Sequence, residues 1–440
     1  MAYHEIQRCR VCGNTNLETI LDLGMQALTG VFPRPGETVE STPVVLVKCH
    51  AEGSCGLVQI KHSVSLEQMY GENYGYRSGL NRSMVEHLKG MARYCSSLVK
   101  LSAGDLVLDI GSNDGTLLRS YLVLQAEGVS GNPPAPGSAG SVPAVPLEVT
   151  FVGMDPTIRK FGKYYDERCI PIADFFNSKA FYAYFRDVNR KAKIITSIAC
   201  FYDLEDPVAF ARDIKKVLHP EGVWVFEQSY SLLMLAKNMY DTAVQEHIEY
   251  YSLSQISRIL KDAGLSIREV ELNDCNGGSF RIVAEHARNA PPNPSVLQLE
   301  QQEKIMGLDG LAIYKNFENN ALLHKANFRK LLQGIKDKGQ SVYGLGASTK
   351  FNAVLQYCEI TPELLPKIGE VNPDKFGCTT PGSLIPIVSE QEVFDLKPDY
   401  LVVGPYHFRD FLLQLPHVKK YLEAGGKLVF PLPSLEIVSK

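Results

Sequence analysis

The stretch GDLVLDIGSNDGTLLRSYL, residues 104–122, decides the fold. Its apolar run Leu106 to Ile110 reads as a buried strand, Gly111 to Gly115 as a tight turn, and Thr116 opens a helix. Strand, glycine turn and helix make the first unit of a doubly wound sheet, whose ligands bind at the strands' carboxyl ends. Downstream, VTFVGMDP, IPIADFF, KIITSIACFYDLEDP and GVWVFEQSY supply further strands between helical stretches. That alternation predicts a mostly parallel sheet. After residue 290 comes a polar helical stretch, then SVYGLGASTKFNAVLQYC, a second strand, glycine turn and helix. LPKIGEVNPDKFG, DYLVVGPYHF and GGKLVFPLP add strands there, so a second, smaller α/β domain is expected.

Around these units the composition is ordinary. The 440 residues are 45% hydrophobic and 21% charged, enough for two or three domains each with its own core. A formal net charge of −4 shows no basic patch for nucleic acid. No apolar run approaches the roughly 18 residues of a membrane span, and the opening MAYHEIQRCR carries no signal-peptide core. The expectation is a cytoplasmic, monomeric protein without nucleic-acid or membrane partners. Residues 128–146, GVSGNPPAPGSAGSVPAVP, hold five prolines, four glycines and no charge, and read as a flexible insertion.

Of ten cysteines, Cys9, Cys12, Cys49 and Cys55 fall near the start. A CxxC pair followed by a second pair is a zinc-ribbon layout, in which four thiolates close a tetrahedron around one structural Zn²⁺. The second pair is Cys-x5-Cys, wider than usual. His50 is the alternative donor, and Cys55 is preferred. The metal is expected to stand apart from the chemistry.

DIGSNDG matches Asp-x-Gly-x-x-x-Gly, from Asp109 to Gly115. Gly111 allows close backbone approach to a ligand, and Gly115 lets helix pack on strand. The second glycine of a dinucleotide fingerprint is missing, so NAD is the weaker reading and S-adenosylmethionine the better one. Asp155, ending the next strand, is placed for the ribose hydroxyls. In ADFF, Asp174 is placed for the adenine amine and Phe175 for a ring face. Asn113 and Ser197 complete the cofactor candidates.

At this point the chain resembles the sugar C-methyltransferase family, whose best-known members methylate C-3 of nucleotide-linked 4-keto-deoxysugars. The markers are CRVCG, CGLVQI, YGYRSGLNRSM, DIGSNDG, FYDLEDP, VFEQSY, QEHIEYYSL, GGSFRI and GLGASTKFN. They span essentially the whole chain outside the insertion. The resemblance implies an α/β protein of three parts: a zinc-binding domain over 1–65, a class I methyltransferase domain over 66–290, and a Rossmann-like nucleotide-sugar-binding domain over 291–440. It also answers the ionisable stretch TAVQEHIEYY, residues 242–251. Methylating carbon requires removing a proton beside a carbonyl, and a base of near-neutral pKa suits that task. The resemblance implies Glu246 and His247 as that site, with Tyr76 hydrogen-bonding the sugar or its enolate. Read alone, His247 is a core histidine satisfied by a neighbour.

Arg77, Ser78 and Tyr202 are candidate substrate contacts, and Glu227, Gln228 and Tyr230 follow a strand end nearby. In GLGASTK, Gly346 and Ser348 precede a helix in an anion-binding arrangement, and Lys350 adds a cation suited to a diphosphate. Tyr406 is placed to cover that ligand. The chain departs from the family at Val244 and Gln245, where relatives carry tyrosine and histidine, and Phe201 or Tyr202 stands in for a loop histidine. Two other functions therefore compete: O- or N-methylation with the same cofactor, and a binding protein that turns over neither ligand.

Overall fold

The computed structural model describes residues 3–64, 76–130, 145–288 and 291–440. Most of the 128–146 insertion lies outside these residues. Its first residues, to Ser130, continue the helix Thr116–Ser130. Among the described residues no helix is long and apolar enough to cross a membrane.

The central sheet has seven strands in the spatial order Leu265–Asn273, Ser279–His286, Leu218–Ser229, Ala192–Ile198, Leu106–Ile110, Thr150–Met154 and Cys169–Ile172. The five from Leu218–Ser229 onward are parallel. Ser279–His286 pairs antiparallel with both of its neighbours. All five residues of Leu106–Ile110 are buried, as a strand covered on both faces requires. Strand order reverses between Leu106–Ile110 and Ala192–Ile198, which opens the ligand crevice beyond their carboxyl ends. The helices between strands begin where sequence caps them. Asp206 accepts from Ala209 N at 2.8 Å and Pro207 follows, while Ser252 and Gln255 form a capping box.

The C-terminal sheet runs Ile387–Ser389, Ile368–Glu370, Val342–Leu345, Tyr400–Val403, Lys427–Phe430 and Glu436–Val438. In chain order this is 3-2-1-4-5-6, the Rossmann arrangement, with only the last strand antiparallel. The N-terminal sheet pairs Leu17–Ala27, Ser41–Cys49 and Val58–Ile60 antiparallel. The α/β class with three parts is therefore as expected.

Packing blurs the boundaries that sequence suggests. Strand Glu249–Tyr250 leaves the central domain and pairs with Val58–Ile60. Helix Pro294–Ile305, grouped by sequence with the C-terminal domain, packs Val296 and Leu299 into the central core. Its Glu303 accepts from Tyr230 Oη at 2.8 Å and Leu253 N at 2.6 Å. Ile20, Leu21 and Leu46 of the N-terminal sheet share one apolar core with Phe351 and Leu355 of the C-terminal domain. Each such side chain contributes about 1.5–3 kcal/mol by burial, so the two ends of the chain are held together strongly.

Candidate active site

Cys9, Cys12, Cys49 and Cys55 converge, with Cys9 and Cys55 sulfurs 3.4 Å apart and Cys12 and Cys49 sulfurs 3.5 Å apart. Four thiol donors at that spacing fit a tetrahedral Zn²⁺ with no open position. Cys55, and not His50, completes the set. The cluster is less isolated than sequence suggests. Arg10, between two of the cysteines, places Nε 2.9 Å from Glu205 and Nη1 2.9 Å from Ile60 O. Glu205 sits three residues after Tyr202, in the loop beyond strand Ala192–Ile198.

The glycine turn has the conformation its residues predict. Gly111 and Gly115 hold φ of 69° and 74°, and a Cβ on Gly111 would meet Cys200 Sγ at 3.0 Å. Asn113, at φ 50°, donates its backbone N–H to Asp155 Oδ2 at 2.9 Å. Asp155 Oδ1 accepts from Thr157 N and Oγ1, each at 2.6 Å. Three of about four acceptor positions on that carboxylate are thus used by protein, leaving one for a ribose hydroxyl. Phe175 is 38% exposed beside the exposed Asp174, so a flat ring can cover it. Two candidates point elsewhere. Ser197 is fully buried and its hydroxyl accepts from Trp224 Nε1 at 2.9 Å, and Asp109 turns to Thr196 Oγ1 at 2.7 Å. Burial pushes the Asp109 carboxyl up to about 7.

Asn113 also clamps the substrate-side segment. Its Oδ1 accepts from Ser78 N at 3.0 Å, and its Nδ2 donates to Tyr76 O at 3.2 Å. Gly79 N donates to Asp114 Oδ2 at 3.1 Å. Arg77 lies over the Tyr164 ring, 4.2 Å from its centroid, with Nε 3.8 Å from Asp114. Tyr76 keeps 47% of its surface accessible, yet enclosure by surrounding protein pushes its phenol up to about 12. At neutral pH it donates a hydrogen bond and is not a base.

QEHIEYY follows a 3-10 turn, Tyr240–Thr242, turns again at Gln245 and Glu246, and becomes a strand at Glu249–Tyr250. Gln245 is buried, donates to Gln26 O at 2.9 Å and leaves its Oε1 without a partner among the described residues, while Val244 is a buried packing position. Glu246 Oε1 lies 2.8 Å from where a Cβ on Gly30 would stand, and Thr349 is also near that point. His247 Nδ1 lies 3.2 Å from Thr242 O. A carbonyl only accepts, so Nδ1 carries the proton and Nε2 keeps its lone pair. The Tyr202 ring packs 4.4 Å from the imidazole centroid. Burial, then the charge of Lys350, lowers the His247 pKa to about 4, so the ring is neutral. Tyr250 and Tyr251 are buried packing residues.

The C-terminal domain reaches the same place. Lys350 Nζ donates to Asn276 O at 2.8 Å, and its charge also acts on Asp241 and His407. Tyr406 is buried and donates to Asp241 Oδ1 at 3.1 Å. Ser348 is spent on capping, accepting from Phe351 N at 3.2 Å. Gly346, at φ 83°, lets Pro405 approach. Asp241 Oδ2, Glu246 Oε2 and His407 Nδ1 are buried with no hydrogen-bond partner among the described residues. Such atoms in one junction call for a ligand or water to satisfy them. Gly30, Asp241 and His407 carry no signal in the sequence, since each is an unremarkable residue until the three parts pack.

Sheet, glycine turn and crevice define an S-adenosylmethionine-dependent methyltransferase. Three family models match the chain in order: a candidate zinc binding domain over 9–70, a methyltransferase domain over 84–270, and a C-methyltransferase C-terminal domain over 274–433. The chain is 26% identical over 443 residues to the C-methyltransferase NovU of Streptomyces niveus, covering 99% of this chain and 97% of that one. Together these matches make it an S-adenosylmethionine-dependent C-methyltransferase with a zinc-binding domain ahead of the methyltransferase domain. Among solved structures, the complex between the Haloferax volcanii Trm112 activator and a methyltransferase matches at TM-score 0.34 and 15% identity, over 48% of this chain and 95% of that one. The mitomycin 7-O-methyltransferase MmcR matches at TM-score 0.32 and 15% identity, over 46% and 54%. Both likenesses are slight.

Proposed function

We propose that this protein methylates C-3 of a nucleotide-linked 4-keto-deoxysugar, with His247 removing the proton from the carbon beside the ketone. The observation that carries this reading is the His247 tautomer. Its Nδ1–H is held on the Thr242 carbonyl, leaving Nε2 as an unprotonated acceptor at a junction that already contains unsatisfied polar atoms. A neutral imidazole serves O-methylation equally well by deprotonating a hydroxyl, so the C-methyl reading is supported by the matches to the C-methyltransferase C-terminal domain and to NovU. Bound at the Gly111–Gly115 turn, S-adenosylmethionine supplies the electrophilic methyl group.

The protein's own residues do the rest. Tyr202 fixes the imidazole plane, and Tyr76, a protonated phenol, donates to the ketone oxygen as negative charge develops there. Lys350 disfavours an imidazolium in the free protein. An enolate forming nearby offsets that repulsion, so His247 gains basicity as the proton moves. Glu246, whose pKa burial raises, offers its unpartnered oxygen to a sugar hydroxyl. Lys350 and the start of helix Thr349–Tyr357 are the groups this reading assigns to a phosphate of the nucleotide, as a cation at a helix N-terminus suits an anion.

The test is deuterium uptake at the carbon beside the ketone, followed by mass spectrometry without S-adenosylmethionine. Candidate nucleotide 4-ketosugars should exchange with the native protein and gain one methyl when cofactor is added. His247→Asn should abolish exchange and slow methylation by roughly 10²–10⁴-fold while both ligands still bind. Full exchange in that variant would remove His247 from the role.

A further inference from the structure

A second cluster of donor atoms stands in the crevice and takes no part in the acid/base scheme. We propose that His87, Glu227 and Cys275 form a second metal site, for a borderline-soft divalent cation of the Zn²⁺ class. This inference does not depend on the identity of the sugar.

The three residues come from separate elements: the helix Arg82–Leu98, the end of strand Leu218–Ser229, and the turn Cys275–Gly277. One donor atom from each lies within 4.8 Å of the others, and His87 Nε2 is 2.5 Å from Glu227 Oε1. Zinc–donor distances of about 2.0–2.3 Å place tetrahedral donors roughly 3.3–3.8 Å apart. Side-chain shifts on the order of 1 Å reach that spacing. Nitrogen, oxygen and sulfur together select a borderline-soft ion over Mg²⁺ or Ca²⁺.

The surroundings hold the donors as outer groups do in metal sites. Asn273 Nδ2 donates to Glu227 Oε2 at 2.7 Å, and its Oδ1 accepts from Cys275 N at 2.9 Å, so one amide orients two ligands. Ser279 Oγ donates to Cys275 O at 2.9 Å. The turn is pinned at Asn276, φ 54°, whose carbonyl accepts from Lys350. Three protein donors leave a fourth position for water or a substrate oxygen. Lys350 Nζ donates to the carbonyl of Asn276, next in the chain to Cys275, so the cluster stands beside a residue proposed to contact substrate.

The full chain, equilibrated with Zn²⁺ and freed of excess, should retain two zinc ions, and His87→Gln or Cys275→Ser should retain one. Peptide mass spectrometry should show Zn²⁺ protecting Cys275 from iodoacetamide at least tenfold in the native chain, with that protection lost in His87→Gln. Protection of the native chain needs no variant and so does not depend on variant folding. One zinc per chain, with Cys275 alkylated equally fast in the presence and absence of Zn²⁺, would overturn the proposal. The cluster would then be a hydrogen-bonded Cys–His–Glu relay only.

Discussion

His247 shows how one residue's surroundings set its chemistry. Its pKa is lowered to about 4 by burial and by Lys350, so the acid limb of kcat/KM should lie well below the 6.5 of a free histidine. Lys350→Met removes a positive charge that disfavours the imidazolium. The acid limb should move up toward 6.5 in that variant, and a pH–rate profile reads this directly. If both profiles titrate at the same pH, Lys350 does not act on His247. Gly30 makes a steric counterpart. A Cβ there would stand 2.8 Å from Glu246 Oε1. Gly30→Ala should therefore displace Glu246 and lower kcat/KM roughly tenfold, about 1.4 kcal/mol, with little change in S-adenosylmethionine affinity by calorimetry.

At the scale of elements, the four-cysteine cluster supports a loop of the proposed active site. Arg10 ties it to Glu205, just beyond the Tyr202 that packs on His247. Glu205 is 41% exposed, so the pair itself contributes little stability, but Arg10 also holds Ile60 O and Gln59. Arg10→Ala should keep zinc and fold, measured by metal analysis and melting, while lowering kcat more than it changes cofactor affinity. The glycine turn is braced in the same way by Asp155, which accepts from Asn113 and Thr157. Asp155→Ala should weaken S-adenosylmethionine binding by about 1–3 kcal/mol, and equal affinity in calorimetry would contradict the assignment. Strand and helix positions here were legible because periodicity and glycine spacing are local. The strand Leu106–Ile110 and the helix from Thr116 lie where the pattern puts them. Strand Glu249–Tyr250 was not legible, since its partner Val58–Ile60 belongs to another part of the chain.

In the whole molecule, the N- and C-terminal parts are bound through one core and a set of buried polar ties. Gln356 accepts from Ala27 N at 2.7 Å and donates to Ala27 O at 3.2 Å, and Asn352 donates to Thr29 O at 2.8 Å. Gln356→Ala leaves both Ala27 groups unpaired and should cost about 1–3 kcal/mol, seen as a lower denaturant midpoint. The same assembly responds to acid through its buried histidines. His247 and His324 are each lowered to about 4 by burial from 6.5. A histidine kept neutral by folding contributes stability that is complete above 6.5 and is lost as pH falls toward 4. The buried carboxyls Asp109 and Asp241, raised to about 7 and 6, act in the opposite sense, so the histidine effect is read as a difference: from pH 7 to pH 5 the urea midpoint of His324→Gln should shift upward relative to that of the native chain.

The sequence by itself determined the two wound sheets, the glycine turn and the four thiols, because each is written in neighbouring residues. Side-chain period, turn glycines and ligand spacing act over a few positions, and no distant part of the chain can change what they favour. Only the tertiary structure decided that Gly30, Glu246 and Thr349 meet, that Ser197 faces Trp224, and that His87, Glu227 and Cys275 converge. Those encounters depend on how three apolar surfaces close on one another. Burial is not directional, so a sequence shows which faces must be covered without showing which polar groups the covering brings together.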